Sequence, residues 1–225
     1  MSAFIYGYVD TDHAGYRKIT LGGSTYTVAA GYYRWDAYIT AINTAISASG
    51  WALVSGTDGV STLTKASGTA AIAWPDRLGW LLGYEVEPAA TEHGTGSLVG
   101  RGVAPGAIPL LGATWEDVQI TKESQFLVDR SRRGHGYVFG TSRIWRWTLV
   151  MTSAALQALR TGWCLNGKIV ISAATPAGLG SDPAWTTSAT GGHLEGVPVG
   201  LEDVTWIDAL QTQARVSMLI STAGP

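Results

Sequence analysis

From Arg143 to Met151 the residues alternate without a break: Trp145, Trp147, Leu149 and Met151 share one face, and Ile144, Arg146, Thr148 and Val150 share the other. A period of two is that of a β-strand. Two tryptophans, a leucine and a methionine on one face cannot be left in water, so the chain must build at least one sheet with a covered side.

The flanking sequence fits a β-rich fold. Ile5 to Val9, Lys18 to Leu21 and Thr25 to Ala29 read as strands, the last two separated by Gly22-Gly23 as in a hairpin. Trp51 to Val54, Ser61 to Thr64 and Thr69 to Trp74 read as three more, joined by glycine-bearing turns. Val118 to Ile120, Gln125 to Asp129, Tyr137 to Phe139, Cys164 to Ala173, Val204 to Ile207 and Arg215 to Ile220 follow in the second half. Two stretches change period. Trp35, Ile39, Ile42 and Ile46 form the stripe of an amphipathic helix that Gly50 stops, and Ser153 is placed to cap a short helix from Ala154 to Arg160. Pro75 and Asp76 suit the start of a helical turn closing at Leu82-Gly83. The segments Glu85 to Gly112 and Ala174 to Gly192 are rich in glycine and proline without apolar periodicity and read as loops.

The predicted fold is therefore α+β: mainly antiparallel β, sandwich or barrel-like, with two helices packed on the sheets. The predicted units are residues 1–87, a strand-helix-strand unit, and 112–225, a β-rich unit with one short helix. Residues 88–111 form a loop or arm between them.

Charge narrows the function. Only 14% of the 225 residues are charged, against roughly 25% in an average soluble domain. With a net charge of −2, such a surface favours burial against copies or partners. No excess of basic residues gives an electrostatic reason to expect nucleic-acid binding. The lone Cys164, between Trp163 and Leu165, excludes an intramolecular disulfide and reads as a buried thiol. Neither an export signal at Met1 to Tyr8 nor an apolar window long enough to span a membrane is read in the chain.

No motif of catalysis or cofactor binding is recognised. The histidines at 13, 93, 135 and 193 have no metal-ligand spacing, and Asp10, Asp12 and His13, the one compact ligand-like group, do not continue into a calcium loop. Gly94-Thr95-Gly96 and Gly178-Leu179-Gly180 lack the phosphate-loop and dinucleotide patterns. The expectation is a protein that is not an enzyme and carries no cofactor and no metal.

Interaction residues are easier to nominate. Arg130, Arg132, Arg133, Arg143 and Arg146 gather five of the 15 basic residues into one short segment around His135. Arginine is enriched in protein interfaces, where its planar fork meets carboxylates and backbone carbonyls. Among ten tryptophans, Trp185 lies in a predicted loop and is the candidate for an exposed ring that meets a partner or stacks on a sugar.

One segment resembles a known group. Tyr32-Tyr33-Arg34-Trp35 leads to Ile39-Thr40-Ala41-Ile42-Asn43-Thr44-Ala45-Ile46, then short strands, then Leu78-Gly79-Trp80-Leu81-Leu82-Gly83-Tyr84. This succession, from Gly31 to Tyr84, resembles an arrangement in bacteriophage virion structural proteins. The resemblance implies a subunit of the tail, baseplate or neck, present in rings or repeated layers, with copies of itself and other virion proteins as partners. Its location would be the virion, assembled in the bacterial host cytoplasm. The alternative is a receptor-recognition module that binds a host-surface glycan through exposed Trp and Tyr rings.

Overall fold

The computed structural model describes residues 3–11, 15–65, 67–68, 70–84, 91–93, 96–99, 103–128, 134–161, 167–175, 179–188 and 191–223. Among the described residues the chain is mainly antiparallel β with three α-helices, an α+β fold. It divides into two units, neither continuous in sequence: Phe4–Pro109 with Ser153–Gly167, and Met1–Ala3 with Leu110–Thr152 and Lys168–Pro225.

In the first unit, β1 (Ala3–Asp10) buries Ile5 and Val9 and leaves Phe4, Tyr6 and Tyr8 half-buried on its other face. Lys18–Leu21 (β2) turns through Gly22 and Gly23, at φ of 58° and 80°, into Ser24–Thr27 (β3). Only residues without a Cβ enter two consecutive positive-φ positions freely, and such a turn matches the twist of a hairpin. Tyr32–Arg34 (β4) pairs antiparallel with the end of β1 and runs into helix α1 (Trp35–Ile46).

The buried stripe of α1 is Trp35, Tyr38, Ile42 and Ile46, with Ile39 at its margin. Tyr38 replaces Ile39 at the centre because its polar tip is satisfied: the hydroxyl donates to the Tyr16 carbonyl at 2.5 Å. Burial holds that hydroxyl well above the usual tyrosine pKa, so it remains a donor. After one 3₁₀ turn, Gly50 at φ 74° ends the helix.

Trp51–Ser55 (β5) and Ser61–Lys65 (β6) form the next hairpin. Ala70–Ala73 (β7) precedes the one-turn helix α2 (Leu78–Leu81). The Asp76 carboxylate accepts from the backbone N–H groups of Arg17, Lys18 and Leu78, each within 2.9 Å, and so ties the start of β2 to the start of α2. The predicted loop at 88–111 contains three short strands, Thr91–His93 (β8), Gly96–Val99 (β9) and Ala107–Leu110 (β10). β8 completes the sheet β3-β2-β7-β8, β9 completes β5-β6-β9, and β10 lies beside β1. Tyr84 joins β6 to β9: its hydroxyl accepts from the Leu63 N–H at 2.9 Å and lies 3.0 Å from the carbonyls of Ser61 and Leu98.

The second unit is built on two long hairpins. Gly112–Val128 (β11) and Gly134–Thr152 (β12) form the first. Helix α3 (Ser153–Thr161) follows and groups with the first unit; it already includes Ser153, the predicted cap. Ile169–Ala173 (β13) and Trp185–Ser188 (β14) both pair with Gly191–Trp206 (β15), which forms the second hairpin with Gln213–Ala223 (β16). Within this unit the strand order is β13-β15-β16-β12-β11. The alternating segment of β12 sits mid-sheet: Trp145, Trp147, Leu149 and Met151 lie opposite Ile220, Met218, Val216 and Ala214 of β16, and all eight are buried.

Candidate assembly surfaces

Among the described residues the hairpin β11–β12 runs further than β16, the strand beside it. β12 pairs with β16 only from Thr152 back to Ser142, which lies opposite Ala223. Its ladder with β11 continues to Val128 opposite Gly134. Among the described residues, Gly134 to Thr141 therefore pair with β11 alone, and the two strands form an arm about 26 Å long. A two-stranded ribbon is marginally stable in water, so such an arm gains from covering by another surface.

The nominated interface residues divide into three groups. Arg130, Arg132 and Arg133 lie outside the described residues, and His135 is placed only by its backbone on β12. Arg143 is committed internally: its guanidinium donates to Asp182 at 2.6 Å, with both side chains largely buried, and its Cζ stands 3.9 Å from the centre of the Trp145 ring. The other Asp182 oxygen accepts from the Ala184 N–H at 2.9 Å, so the pair pins the loop before β14 to the sheet. Arg146 pairs with Glu116 on the neighbouring strand, both well exposed.

Those environments separate the two arginines energetically. Arg143→Ala is expected to lower the unfolding free energy by about 3 kcal/mol, because it leaves the Asp182 carboxylate buried without its cation. Arg146→Ala is expected to change it by less than about 0.5 kcal/mol, as for an exposed ion pair. Urea unfolding followed by near-ultraviolet circular dichroism checks both, and equal costs would contradict the assignment.

Trp185 corrects the expectation of an exposed ring: it is 4% exposed. The segment read as a loop contains β14, and pairing with β15 turns the ring inward, 6.1 Å from Trp147 and nearly parallel to it. Its indole N–H donates to Thr175 Oγ1 at 3.3 Å, which satisfies the polar edge in the core. The signal available in the sequence was Trp-Thr-Thr-Ser, four β-forming residues that the nearby glycines and prolines obscured.

Exposed apolar side chains lie elsewhere. In the second unit, Leu111, Val197, Val199, Ile207 and Leu210 face solvent, and Leu210, in the turn between β15 and β16, is 85% exposed. That turn is clasped by Asp208, which accepts from the hydroxyl and backbone N–H of Thr212 and from the Gln213 N–H. The Thr212 hydroxyl above all holds the Asp208 carboxyl below its usual pKa.

In the first unit, a groove of about 400 Å³ is lined by Phe4, Tyr6, Trp35, Ile39 and Val54, with Asp36 among its polar groups. Hydrogen bonds from Arg34 lower the Asp36 pKa and engage both carboxylate oxygens, at 2.7 and 2.6 Å. Trp35 turns its N–H toward Ser55 Oγ at 3.4 Å.

Among the described residues, no cluster of three or more His, Cys, Asp or Glu could hold a metal ion, and no helix is long and apolar enough to cross a membrane. Asp12 and His13 of the compact acidic group, and Cys164, lie outside the described residues. The features together define a β-rich chain that, among the described residues, offers open backbone edges and exposed apolar side chains. No protein-family model matches the chain, and no curated protein and no solved structure matches it either.

Proposed function

We propose that the chain is a non-enzymatic structural subunit of a tailed bacteriophage virion, a tail, baseplate or neck component that works in repeated copies. The observation that carries this reading is the β11–β12 arm, which runs beyond β16 with an unpaired backbone edge on each side among the described residues. Open edges of that length invite pairing with another chain, and proteins that remain alone protect them. The low charge content, the exposed apolar side chains of the second unit and the resemblance of Gly31 to Tyr84 to virion proteins support the same reading.

Light scattering of the purified protein, with negative-stain images of the same sample, tests it. Rings or large symmetric oligomers are the expected result. A strict monomer at all attainable concentrations would count against the reading and favour the glycan-binding alternative. The aromatic groove between Phe4, Tyr6 and Trp35 is the observation that favours that alternative, in place of Trp185. A change of tryptophan fluorescence on titration with oligosaccharides would report such binding.

A further inference from the structure

The open edges of the second unit are not equivalent. From Val197 to Trp206, β15 pairs only with β16 among the described residues, but its other edge is blunted. Pro198 has no N–H to offer, and the ladder is broken by irregularities between Pro198 and Gly200 and between Leu201 and Asp203. The sequence adds the adjacent carboxylates Glu202 and Asp203. Proline, bulges and charge are the devices that keep an edge from pairing.

The arm lacks most of these devices. Gly134 to Thr141 contains no proline and no Lys, Arg, Asp or Glu, and its one irregularity is at Phe139. Thr121 to Val128 on β11 has no proline, and its charges, Lys122 and Glu123, are of opposite sign. Lys122 to Val128 pairs with Gly134 to Thr141, so along the arm each copy offers two edges of matching extent, one on either side; the β11 edge also stays open back to Gly112 among the described residues.

That symmetry decides how copies can satisfy the edges. A two-fold dimer pairing one edge with its own counterpart would leave the second edge of each arm open. A head-to-tail contact uses both arm edges, and it leaves neither of them open once the succession closes into a ring.

We propose that Gly134–Thr141 of one copy pairs with Thr121–Val128 of the next, so that successive arms join into one closed antiparallel sheet. This rests on the reading of the chain as a repeated subunit and names the surface through which it repeats. Arms pointing the same way place β12 of one copy antiparallel to β11 of its neighbour, continuing the alternation within each hairpin. Each copy adds two strands, about 10 Å, to the circumference.

The test uses two full-length single-cysteine proteins in a Cys164→Ser background, Gln125→Cys on β11 and Tyr137→Cys on β12, positions at the same level of the arm. Each is assembled alone or as an equimolar mixture and oxidised with copper phenanthroline, which joins only thiols in direct contact, because like positions on neighbouring copies stand about 10 Å apart. The expected result is a linked dimer from the mixture and none from either variant alone. Linking of one variant to itself, or no linking in a sample that light scattering shows to be oligomeric, would overturn the head-to-tail arm contact and leave the repeated-subunit reading standing. A protein that stays monomeric overturns both.

Hydrogen exchange of the unsubstituted chain gives a second measurement that does not depend on the variants folding. Peptides covering 121–128 and 134–141 should exchange more slowly in the oligomer than after dilution to monomer. Equal exchange of both in the two states would overturn the proposal.

Discussion

Trp147→Ala is expected to lower the unfolding free energy by about 3–5 kcal/mol, a large share of the roughly 5–15 kcal/mol that a domain possesses. The side chain is fully buried on β12, a strand flanked by β16 and β11, opposite Met218 and against the ring of Trp185. Phenylalanine at the same position should cost far less, about 1 kcal/mol. Among the described residues the indole N–H of Trp147 has no hydrogen-bond partner, so its removal relieves an unsatisfied donor while much of the ring volume remains.

Trp145 should behave differently. Its N–H donates to Thr222 Oγ1 at 2.9 Å, and its ring carries the Arg143 guanidinium. Trp145→Phe loses that hydrogen bond in a buried setting and should cost about 1–2 kcal/mol more than Trp147→Phe. Urea denaturation of the three variants measures the contrast, and equal costs for the two phenylalanine changes would show that the N–H environments do not matter.

The second large effect is expected at Gly106. A Cβ there would lie 2.0 Å from Trp35 Cζ3 and 2.4 Å from Cε3, distances that no side chain tolerates. Trp35 cannot easily withdraw, because it is 2% exposed at the first position of α1. The glycine backbone is itself held, its carbonyl accepting from the Gly7 N–H at 3.4 Å. Gly106→Ala should therefore cost about 2–3 kcal/mol through overpacking. Adding Trp35→Leu should recover part of that loss, so the double variant is more stable than the sum of the two changes by about 1 kcal/mol or more. Strict additivity would mean that the two residues do not compete for the same space.

The parts of this fold that were legible in the sequence are those whose pattern is local. The face of Trp145, Trp147, Leu149 and Met151 is readable because burial on one side enforces strict alternation, and the stripe of α1 was readable apart from the exchange of Ile39 for Tyr38. A tyrosine counts as half polar until its partner is known, and the partner, the Tyr16 carbonyl, is 22 residues away. β11 was read as two short strands because Thr121 to Gln125 is polar and carries no period. Its continuity comes from the ladder with β12, a long-range term that overrides local preference. β8, β9, β10 and β14 were missed for the same reason: each has three or four residues beside glycines or prolines and exists through its partner strands.

The candidate surfaces followed the same rule. Residue type alone nominated Arg143 and Trp185, yet the structure uses both internally, since a guanidinium over a tryptophan or an indole beside a threonine hydroxyl is as useful in a core as at an interface. The arm could not be nominated from residue types, because what distinguishes it is its pairing: Gly134 to Thr141 has β11 alone beside it among the described residues.

The discontinuity of the two units has a consequence for synthesis. The chain leaves the first unit after Pro109 and returns to it only at Ser153, so a ribosome has released no complete first unit until Gly167 has emerged. Between those points it makes the whole of β11 and β12, whose partner β16 is made later. A nascent chain at that stage carries two unfinished cores at once, and β12 has yet to meet β16. A fragment ending at Pro109 would be a first unit without α3, and its solubility depends on how well it tolerates that missing piece.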